Sequence, residues 1–430
     1  MSERVLRVGM LGCGTVGAAV VRLLESHRDD IERRAGCRLE VHKVAVRDPA
    51  KARDVPLPPD AFVGDPMAVI EDPDVDIVCE LIGGLDPAGS LVLAAFERDK
   101  PVVTANKELL ANRGRELFDA SDDKGLDLYF EASVGGGIPL IRPLKESLTG
   151  ERVRRVMGIV NGTTNFILTK MSEEGRGFDD VLAQAKRLGY AEADPTADVE
   201  GHDAAAKCAI LASIAFNARV VASDVYREGI ASVTTEDIEF ARRLGYVIKL
   251  LAIAEMGPDE RISARVHAAM IPLTHPLASV RDAYNAVFVE GSDVGELMFY
   301  GRGAGGEPTA TAVVGDLVTV ARNLLAGARG VGCTCFYERT IRPIRELTGQ
   351  YYLLLRVEDR PGVLAEIASV FARSEVSIKS VWQEGFGGDA QLVFITHRAR
   401  EGAFQEAVAA LRGLPAVDEI RSVLRVEAEE

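Results

Sequence analysis

Residues that could bind a transition metal or form a disulfide framework are scarce in this chain, which has six cysteines and six histidines among 430 residues. They are dispersed without the spacing of zinc ligands, so no transition-metal centre is expected. The only close pair, Cys333 and Cys335, has the spacing of neither a structural zinc site nor a redox pair. In a reducing compartment we expect all six cysteines to be buried as small hydrophobic residues.

The chain also lacks an excess of positive charge and long apolar runs. The net charge is −15, and the acidic residues are spread along the chain. A surface for nucleic acid or an anionic membrane needs clustered Lys and Arg, so neither is an expected partner. No apolar run has the length of a membrane span, and the N-terminal residues lead into a predicted strand without a signal peptide. These features predict a cytoplasmic protein.

Apolar runs of strand length alternate with helical patterns from Val5 to about Phe130. The runs are Val5–Leu11, Leu39–Val46, Ile77–Leu81, Pro101–Thr104 and Leu126–Phe130. This alternation predicts βαβ units in a doubly wound parallel sheet of the Rossmann type. The first run leads into the glycine loop Gly12–Gly17 and then into a helix. The first glycine would make the turn, the second would let the backbone approach a pyrophosphate, and the third would let helix pack on strand. We predict a dinucleotide site there; the alternative is a turn without ligand.

Charged residues follow the second predicted strand, where the ribose of the cofactor is usually recognised. Arg47 comes first, with Lys51 and Arg53 nearby, and this cationic setting favours the 2′-phosphate of NADP. Asp48 keeps NAD possible, because a carboxylate can accept hydrogen bonds from the ribose hydroxyls. The alternative is that these residues are solvated loop charges.

Two later segments follow strands of the same domain. Thr104–Lys107 ends the fourth strand, so Lys107 could reach the cofactor or substrate, or simply begin a surface helix. The fifth strand leads into the glycine-rich segment Glu131–Pro139. Its glycines can turn backbone carbonyls in unusual directions, so the segment could form an oxygen-lined cation site or a hinge between domains.

The segment Gly189–Lys207 concentrates acidic residues before one lysine. Lys207 opens an apolar helix, with Asp203 one turn behind it on the same side. A poorly solvated lysine can exchange protons near neutral pH, so Lys207 is a candidate proton donor. The alternative is a plain ion pair between Asp203 and Lys207, and Lys249 shows that a lysine among apolar residues need not be catalytic.

Two more motifs precede helices. Asn161–Asn165 follows a predicted strand, and we expect Thr164 and Asn165 to cap the next helix. A second glycine loop, Gly301–Thr309, precedes a long helix that would return the chain to the dinucleotide-binding domain.

The sequence therefore predicts an α/β protein with three domains. Residues 1–138 form the dinucleotide-binding domain, completed by the helix at about 306–330. Residues 139–305 form an α+β domain for substrate binding and oligomer contacts. A linker over 331–350 leads to residues 351–430, whose βαββαβ order predicts a ferredoxin-like fold.

These motifs together resemble the homoserine dehydrogenase family over essentially the whole chain. The tail, with its segment Asp359–Leu364, resembles an ACT regulatory domain. The resemblance implies reversible NAD(P)H-dependent reduction of L-aspartate 4-semialdehyde to L-homoserine, on the route to threonine, methionine and isoleucine. It also implies a homo-oligomer, as a homodimer or homotetramer, and feedback inhibition by threonine.

Residue roles follow from the resemblance. Lys207 would donate the proton, and Asp203 would orient the Lys207 ammonium or a bridging water. Glu192 would bind the substrate ammonium group. Asp198 would join the substrate's polar network, and Lys107 would lie near the nicotinamide and substrate. The expected cofactor contacts are Gly12, Gly14, Thr15, Val16, Gly17, Arg47, Gly83, Lys107, Gly303 and Gly305. The expected ligands of a monovalent cation, sodium, are the Glu131 side chain and the carbonyls of Val134, Gly136 and Ile138.

Two other functions fit part of the sequence. Another NADP-linked dehydrogenase could share the first domain, but a phosphorylating semialdehyde dehydrogenase needs a nucleophilic cysteine with a base partner. Cys13 lies in the glycine loop and Cys208 within a helix. A non-catalytic amino-acid sensor would have lost the catalytic positions or gained a DNA-binding element, and neither is seen.

Overall fold

The computed structural model describes residues 4–385 and 390–428. The chain forms two compact units. Unit 1 comprises Met1–Val156, Ala206–Asp224 and Asn285–Arg339, and unit 2 comprises Met157–Ala205, Val225–Tyr284 and Thr340–Glu430. Both units draw on the expected middle domain, and the tail belongs to unit 2. Within the described ranges, no helix is both long and apolar enough to span a membrane.

The elements are numbered in chain order. The strands are β1 (Val5–Leu11), β2 (Arg38–Ala45), β3 (Phe62–Val63), β4 (Ile77–Glu80), β5 (Val102–Thr104), β6 (Leu128–Tyr129), β7 (Val153–Ile159), β8 (Tyr226–Arg227), β9 (Tyr246–Met256), β10 (Ile262–Pro272), β11 (Tyr284–Gly291), β12 (Glu296–Arg302), β13 (Thr348–Val357), β14 (Ile378–Glu384), β15 (Gln391–Thr396), β16 (Ala399–Arg400) and β17 (Val417–Val426). The helices are α1 (Thr15–Ser26), α2 (Arg28–Ala35), α3 (Met67–Ile70), α4 (Ala88–Glu97), α5 (Lys107–Lys124), α6 (Gly162–Glu174), α7 (Phe178–Arg187), α8 (Thr196–Val199), α9 (His202–Ala215), α10 (Thr235–Arg243), α11 (Gly306–Ala326), α12 (Val363–Arg373) and α13 (Glu401–Leu411).

Unit 1 contains a six-stranded sheet in the order β3-β2-β1-β4-β5-β6. Every pairing in it is parallel, which confirms the predicted Rossmann-type sheet. The strand order reverses between β1 and β4, and in such sheets ligands bind at this switch point, beyond the carboxyl ends of the strands. The ends of β1, β4 and β5 carry the glycine loop, Glu80 and Thr104.

Helix α11 packs with α1 against one face of this sheet. Apolar residues of α11, such as Val313 and Leu317, join Val8 of β1 and Val20 of α1 in one buried cluster. Burial of the apolar stripe holds α11 in place, since each fully buried side chain of this size contributes about 2 kcal/mol. The start of α11 is thereby fixed beside the glycine loop that begins α1.

Unit 2 contains a run of paired strands in the order β9-β10-β17-β13-β15-β14. The tail contributes β13, α12, β14, β15, α13 and β17, with antiparallel pairing of its strands, which confirms the predicted ferredoxin-like βαββαβ fold. Its core packs Leu353 of β13 against Phe371 of α12 and Phe404 of α13. The last strand, β17, also pairs in parallel with β10, so the tail extends the sheet of the middle segment.

Candidate active site

The first glycine loop has the geometry of a phosphate-binding turn. Gly12 has φ +103°, and a Cβ there would lie 2.8 Å from the Leu81 carbonyl oxygen. A Cβ on Gly17 would lie 2.7 Å from the Gly12 carbonyl oxygen, whereas Gly14 faces open space. Gly14 also precedes α1 without any side chain capping the helix, and Thr15 and Val16 form its first turn. Backbone N–H groups are therefore available to a pyrophosphate that approaches over Gly14.

The second glycine loop borders the first. Gly306 begins α11, and a Cβ there would lie 3.1 Å from Cγ2 of Thr15. Gly305 precedes α11 with φ +121° and no side-chain cap. Gly303 has no room for a side chain, because a Cβ would meet the amide of Asn285 at 1.9 Å. The N-termini of α1 and α11 thus lie next to each other and offer uncapped N–H groups to one anionic ligand.

Glu80 holds the loop that contains Gly83, and the sequence analysis did not identify it. Its fully buried carboxylate accepts hydrogen bonds from the backbone N–H groups of Ile82 at 2.8 Å and Gly83 at 3.1 Å. It also accepts one from the Thr104 hydroxyl at 2.6 Å. The available signal was an acidic residue that ends an otherwise apolar strand. Glu80 links the ends of β4 and β5 at the switch point.

Asn106 connects the same loop to Lys107. Its side-chain amide donates to the Gly84 carbonyl at 2.7 Å, and its side-chain oxygen accepts from Leu109 N at 3.0 Å as the cap of α5. Lys107 is the first residue of α5 and is half-buried. Lys107 therefore lies at the carboxyl end of β5, on the ligand-binding edge of the sheet.

Arg47 is exposed just after β2. Arg53 donates hydrogen bonds to the carbonyls of Lys51 and Asp48, and its guanidinium lies 5.1 Å from the centre of the Phe62 ring. Burial raises the pKa of the Cys13 thiol in the glycine loop, while the charges of Arg53 and Arg22 oppose that rise. These arginines give the loop a positive surrounding.

The glycine-rich segment after β6 surrounds the buried carboxylate of Glu131. One carboxylate oxygen accepts from Leu140 N at 2.6 Å and Ile141 N at 2.9 Å, and the other accepts from Arg142 N at 2.8 Å. Within the described residues, no hydrogen bond reaches the three carbonyls predicted to bind a cation, those of Val134, Gly136 and Ile138. These residues are buried, so their carbonyl oxygens and the second Glu131 oxygen fit the donor set of a monovalent cation.

Asn161 organises the acidic segment. Its side-chain nitrogen lies 2.7 Å from Oδ1 of Asp198 and 2.9 Å from Oδ2 of Asp203. Its side-chain oxygen accepts from Thr164 N at 2.9 Å, which makes Asn161 the cap of α6. The prediction that Thr164 and Asn165 cap this helix was therefore wrong. The Asn165 amide instead donates to the carbonyls of Asp282 and Tyr284, 117 and 119 residues away.

The other carboxylates of the segment are spread apart. Glu192 is exposed, and within the described residues its side chain has no hydrogen bond or ion pair. Asp194 accepts from Thr196 N at 3.1 Å, and Glu200 pairs with His202 at 3.3 Å. Of the five acidic residues, the structure brings Asp198 and Asp203 together.

Lys207 is 8% exposed on α9, one turn after Asp203. The other apolar-segment lysine, Lys249, is also buried, but it donates to the Asn165 side chain at 3.0 Å and the Val280 carbonyl at 2.6 Å. Burial lowers the pKa of Lys249 to about 8. Lys249 therefore links β9 to α6 and the loop after β10, which is a structural role.

The cysteines only partly match the prediction of burial. All six are free thiols; Cys37, Cys79 and Cys208 are buried, but Cys13, Cys333 and Cys335 are half-buried. The first lies in the exposed glycine loop, and the other two lie in the segment after α11, which has no regular secondary structure to cover them.

Comparisons with known proteins identify the family. The model "Homoserine dehydrogenase, NAD binding domain" matches residues 12–131, "Homoserine dehydrogenase" matches 139–318, and "ACT domain" matches 351–416. Homoserine dehydrogenase from Corynebacterium glutamicum is 50% identical over 426 residues, which cover 98% of this chain and 96% of the relative. The Bacillus subtilis homoserine dehydrogenase is 44% identical, with 99% of each chain covered.

Solved structures agree. The homoserine dehydrogenase of Thiobacillus denitrificans has a TM-score of 0.93 at 43% identity, with 99% of each chain covered. A hyperthermophilic archaeal homoserine dehydrogenase in complex with NADPH has a TM-score of 0.64 at 27% identity, covering 77% of this chain and 100% of its own. The chain therefore belongs to the homoserine dehydrogenase family of NAD(P)-dependent oxidoreductases and ends in an ACT domain.

Proposed function

We propose that this chain reversibly reduces L-aspartate 4-semialdehyde to L-homoserine, with Lys207 as the proton donor. The observation that carries the proposal is the bridge from Asn161 to Asp198 and Asp203, one helical turn before the buried Lys207. An ordered pair of carboxylates beside a lysine of low exposure suits recognition of a cationic, polar substrate together with controlled proton transfer.

The reaction requires a hydride and a proton. When bound, NAD(P)H would supply the hydride to the aldehyde carbon of the substrate. The aldehyde oxygen then becomes an alkoxide, and the ammonium of Lys207 donates its proton to that oxygen. In the oxidation direction, the neutral amine of Lys207 takes the hydroxyl proton. Asp203, fixed by Asn161, orients the Lys207 ammonium directly or through a water.

Substrate recognition is assigned to three further polar residues. Glu192, whose carboxylate has no partner among the described residues, binds the α-ammonium group of the substrate. Asp198 contributes to the polar network around it, and Lys107 attracts the substrate carboxylate near the nicotinamide. Glu192 is exposed, which supports its role in binding the substrate ammonium group. Such a carboxylate can bind a cation without losing a contact within the protein.

NADP is the cofactor that we propose, with NAD as the alternative. The uncapped N-termini of α1 and α11 support binding of a pyrophosphate at Gly12–Gly17 and Gly303–Gly305. The exposed Arg47 and the nearby Arg53 support binding of a 2′-phosphate. The NADPH complex of the archaeal relative is consistent with this choice.

A sodium ion on the Glu131 carboxylate and the carbonyls of Val134, Gly136 and Ile138 is also part of the proposal. Such an ion would fix the backbone next to the second glycine loop, since Gly137 N donates to the Arg302 carbonyl at 3.1 Å. The further parts of the proposal are threonine inhibition through the ACT domain and assembly as a homodimer or homotetramer. We place the reaction in the cytoplasm, on the route to threonine, methionine and isoleucine, where six free thiols stay reduced.

Replacement of Lys207 tests the proposal. NADP-dependent oxidation of L-homoserine by Lys207→Ala should fall by roughly 100-fold or more in kcat, the usual contribution of general acid–base catalysis. NADPH binding, followed by its fluorescence, should stay close to wild type. The control is Lys124→Ala, an exposed lysine at the end of α5, which should keep full turnover. Unchanged turnover in Lys207→Ala would remove Lys207 from the mechanism.

A further inference from the structure

A cavity of about 70 Å³ in unit 1 is not used by the proposed reaction. Its apolar wall comes mainly from α5, α9 and Phe130, including Leu110, Phe118, Ile210 and Ile214. Its polar lining includes Lys145, Arg219, Cys333 and Cys335, which lie outside these helices, and Arg115 of α5. Apolar walls that surround a few charged groups are typical of a ligand or reaction site.

Two thiols face each other in this cavity. The Cys335 N–H donates to the Cys333 sulfur at 3.4 Å, and the Cys335 thiol donates to the same sulfur. The hydrogen bond from the Cys335 thiol lowers the pKa of Cys333, which favours the Cys333 thiolate. The same hydrogen bond raises the pKa of Cys335, because it holds the Cys335 proton. The segment is tied down, since Cys333 N donates to an Asp122 carboxylate oxygen at 3.3 Å and Tyr337 N donates to the Asn217 carbonyl at 3.0 Å.

The charges around Cys333 further favour a thiolate. Arg219 lowers its pKa and Asp122 opposes it. Lys145 donates to the Val331 carbonyl at 3.1 Å, and burial lowers the pKa of this lysine while Cys333 raises it. Positive charge next to a half-buried thiol is the setting in which cysteines become nucleophilic.

The other cysteines differ from Cys333. Burial raises the pKa of Cys13, Cys37 and Cys79, so their thiols stay protonated and poorly nucleophilic. Cys208 is buried within α9. Selective chemistry is therefore expected at Cys333, a half-buried thiol with a lowered pKa and a second thiol beside it.

The Cys333–Cys335 spacing did not predict a redox pair, but the structure brings the two thiols into contact. We propose that Cys333 and Cys335 form a peroxide-sensitive dithiol whose oxidation changes the turnover of the enzyme. The Cys333 thiolate attacks one oxygen of a hydroperoxide, the O–O bond breaks, and the leaving alkoxide takes a proton to become an alcohol. Cys333 is then a sulfenic acid. The Cys335 sulfur gives up its proton and attacks the Cys333 sulfur, the S–O bond breaks, and water leaves. The dithiol loses two electrons and the peroxide gains them; two molecules of a small thiol reverse the change.

The link to turnover comes from the walls of the cavity and rests on the proposed function. Helix α5 begins with Lys107, and α9 carries Lys207 one turn before Ile210. Disulfide formation removes the negative charge that faces Lys145 and Arg219 and draws the segment into a tight ring. The packing behind both lysine-bearing helices then changes, so oxidation should lower kcat.

Peroxide treatment of the full reduced chain, followed by peptide mass spectrometry, tests the chemistry. The Cys333–Cys335 peptide of wild type should lose two hydrogen atoms. Cys335→Ser should instead gain one oxygen and react with dimedone, and Cys333→Ser should do neither. Cys37→Ser, which replaces a buried thiol outside the cofactor loop, is the matched control and should behave as wild type. An unchanged wild-type peptide, or equal oxidation of Cys333→Ser, would overturn the proposal.

Homoserine oxidation measured on the same samples tests the link to turnover. Oxidised wild type should lose at least about fivefold in kcat, within the range of ordinary coupling between sites, and should recover with dithiothreitol. The variant with both cysteines replaced by serine should be insensitive to peroxide. A complete disulfide with unchanged turnover would overturn the regulatory part. Absence of activity in the reduced wild type would instead contradict the proposed function, whatever the mass spectra show.

Discussion

The side-chain amide of Asn161 donates a hydrogen bond to Oδ2 of Asp203 over 2.9 Å. The same nitrogen donates to Asp198, so one amide sets the directions of two carboxylates. A serine at position 161 can still cap α6, but its side chain is too short to hold both carboxylates. We expect Asn161→Ser to lower kcat for homoserine oxidation by roughly 100-fold, as small misplacements of catalytic groups do. Steady-state kinetics with both substrates measure this.

Two controls separate orientation from folding. Asn112→Ala removes an exposed amide of α5 that donates to the Glu108 carbonyl, and it should leave kcat unchanged. The melting temperature of Asn161→Ser should stay within a few degrees of wild type, since the cap is kept. Full turnover in Asn161→Ser would mean that Asp203 needs no orientation by this amide.

Arg47 should determine the choice between NADPH and NADH. Its removal in Arg47→Ala deprives the 2′-phosphate of a charged hydrogen-bond donor, which is worth about 1.5 kcal/mol and hence roughly tenfold in affinity. We expect kcat/KM with NADPH to fall by about that factor, while kcat/KM with NADH stays the same. Arg33→Ala, an exposed arginine of α2, is the control. Equal losses with both cofactors would show that Arg47 does not recognise the phosphate.

The local elements were largely predictable where the sequence itself marks their ends. The strand Val5–Leu11 has the predicted bounds, because the glycine loop follows it directly. Strand β6 is shorter than the predicted 126–130, because Leu126 N bonds to the Ser121 carbonyl at the end of α5. Strand β3 was missed, since two residues carry no periodicity.

The polar contacts of the site were less predictable, because their partners are far apart in the chain. Asn161 meets carboxylates 37 and 42 residues away, and Glu80 meets Thr104 24 residues away. A sequence motif shows that such residues are present but not which of them share a hydrogen bond. The Asn165 amide illustrates this limit, since its use by distant carbonyls ruled out the local capping role.

Glu131 gives a test of the cation site. Its carboxylate accepts three backbone N–H groups, so Glu131→Gln weakens both this local structure and any cation binding. If a cation binds, wild-type turnover should rise when sodium chloride replaces choline chloride at equal ionic strength. Glu131→Gln should lose that response. The control is Glu151→Gln, whose carboxylate also accepts backbone N–H groups but lies in the turn before β7. If Glu131→Gln is less stable but its turnover still rises with sodium chloride, Glu131 has a purely structural role.

Asp316 should make the stability of the fold depend on pH. Burial raises its pKa from 3.8 to about 7, although Arg142 lies 2.5 Å from one oxygen and Glu131 N lies 2.8 Å from the other. The folded state therefore binds more protons than the unfolded state between these values. The stability contributed by the protonated form is complete below about pH 4 and is lost as the pH rises through about 7.

The variant Asp316→Asn removes this titration. We expect its thermal midpoint to vary less than that of wild type between pH 4 and 7.5. The free energy of unfolding should be lower than that of wild type by about 1–3 kcal/mol, because hydrogen-bond acceptors are lost. Asp119→Asn, an exposed residue of α5, should retain the wild-type slope. Parallel pH curves for wild type and Asp316→Asn would contradict this assignment.

Threonine inhibition through the tail is best tested in the full chain. Removal of the tail would also remove β17, which pairs with β10 at Ala269 and Met270. It would further deprive the buried Arg265 of Glu427, which lies 3.1 Å away. A truncated chain would thus lose stability whether or not the tail binds an effector, because a buried charge loses a partner.

A single substitution in the tail avoids that problem. Gly362 is the N-cap residue before α12 and has φ +96°, so Gly362→Ala strains the loop by about 1–3 kcal/mol and displaces it. We expect the threonine concentration for half inhibition to rise by at least about fivefold, with unchanged turnover in the absence of threonine. Gly413→Ala, in the same domain at an ordinary φ, is the matched control. Identical threonine titrations for Gly362→Ala and wild type would place the effector elsewhere, and a wild type that threonine does not inhibit would remove threonine as the effector.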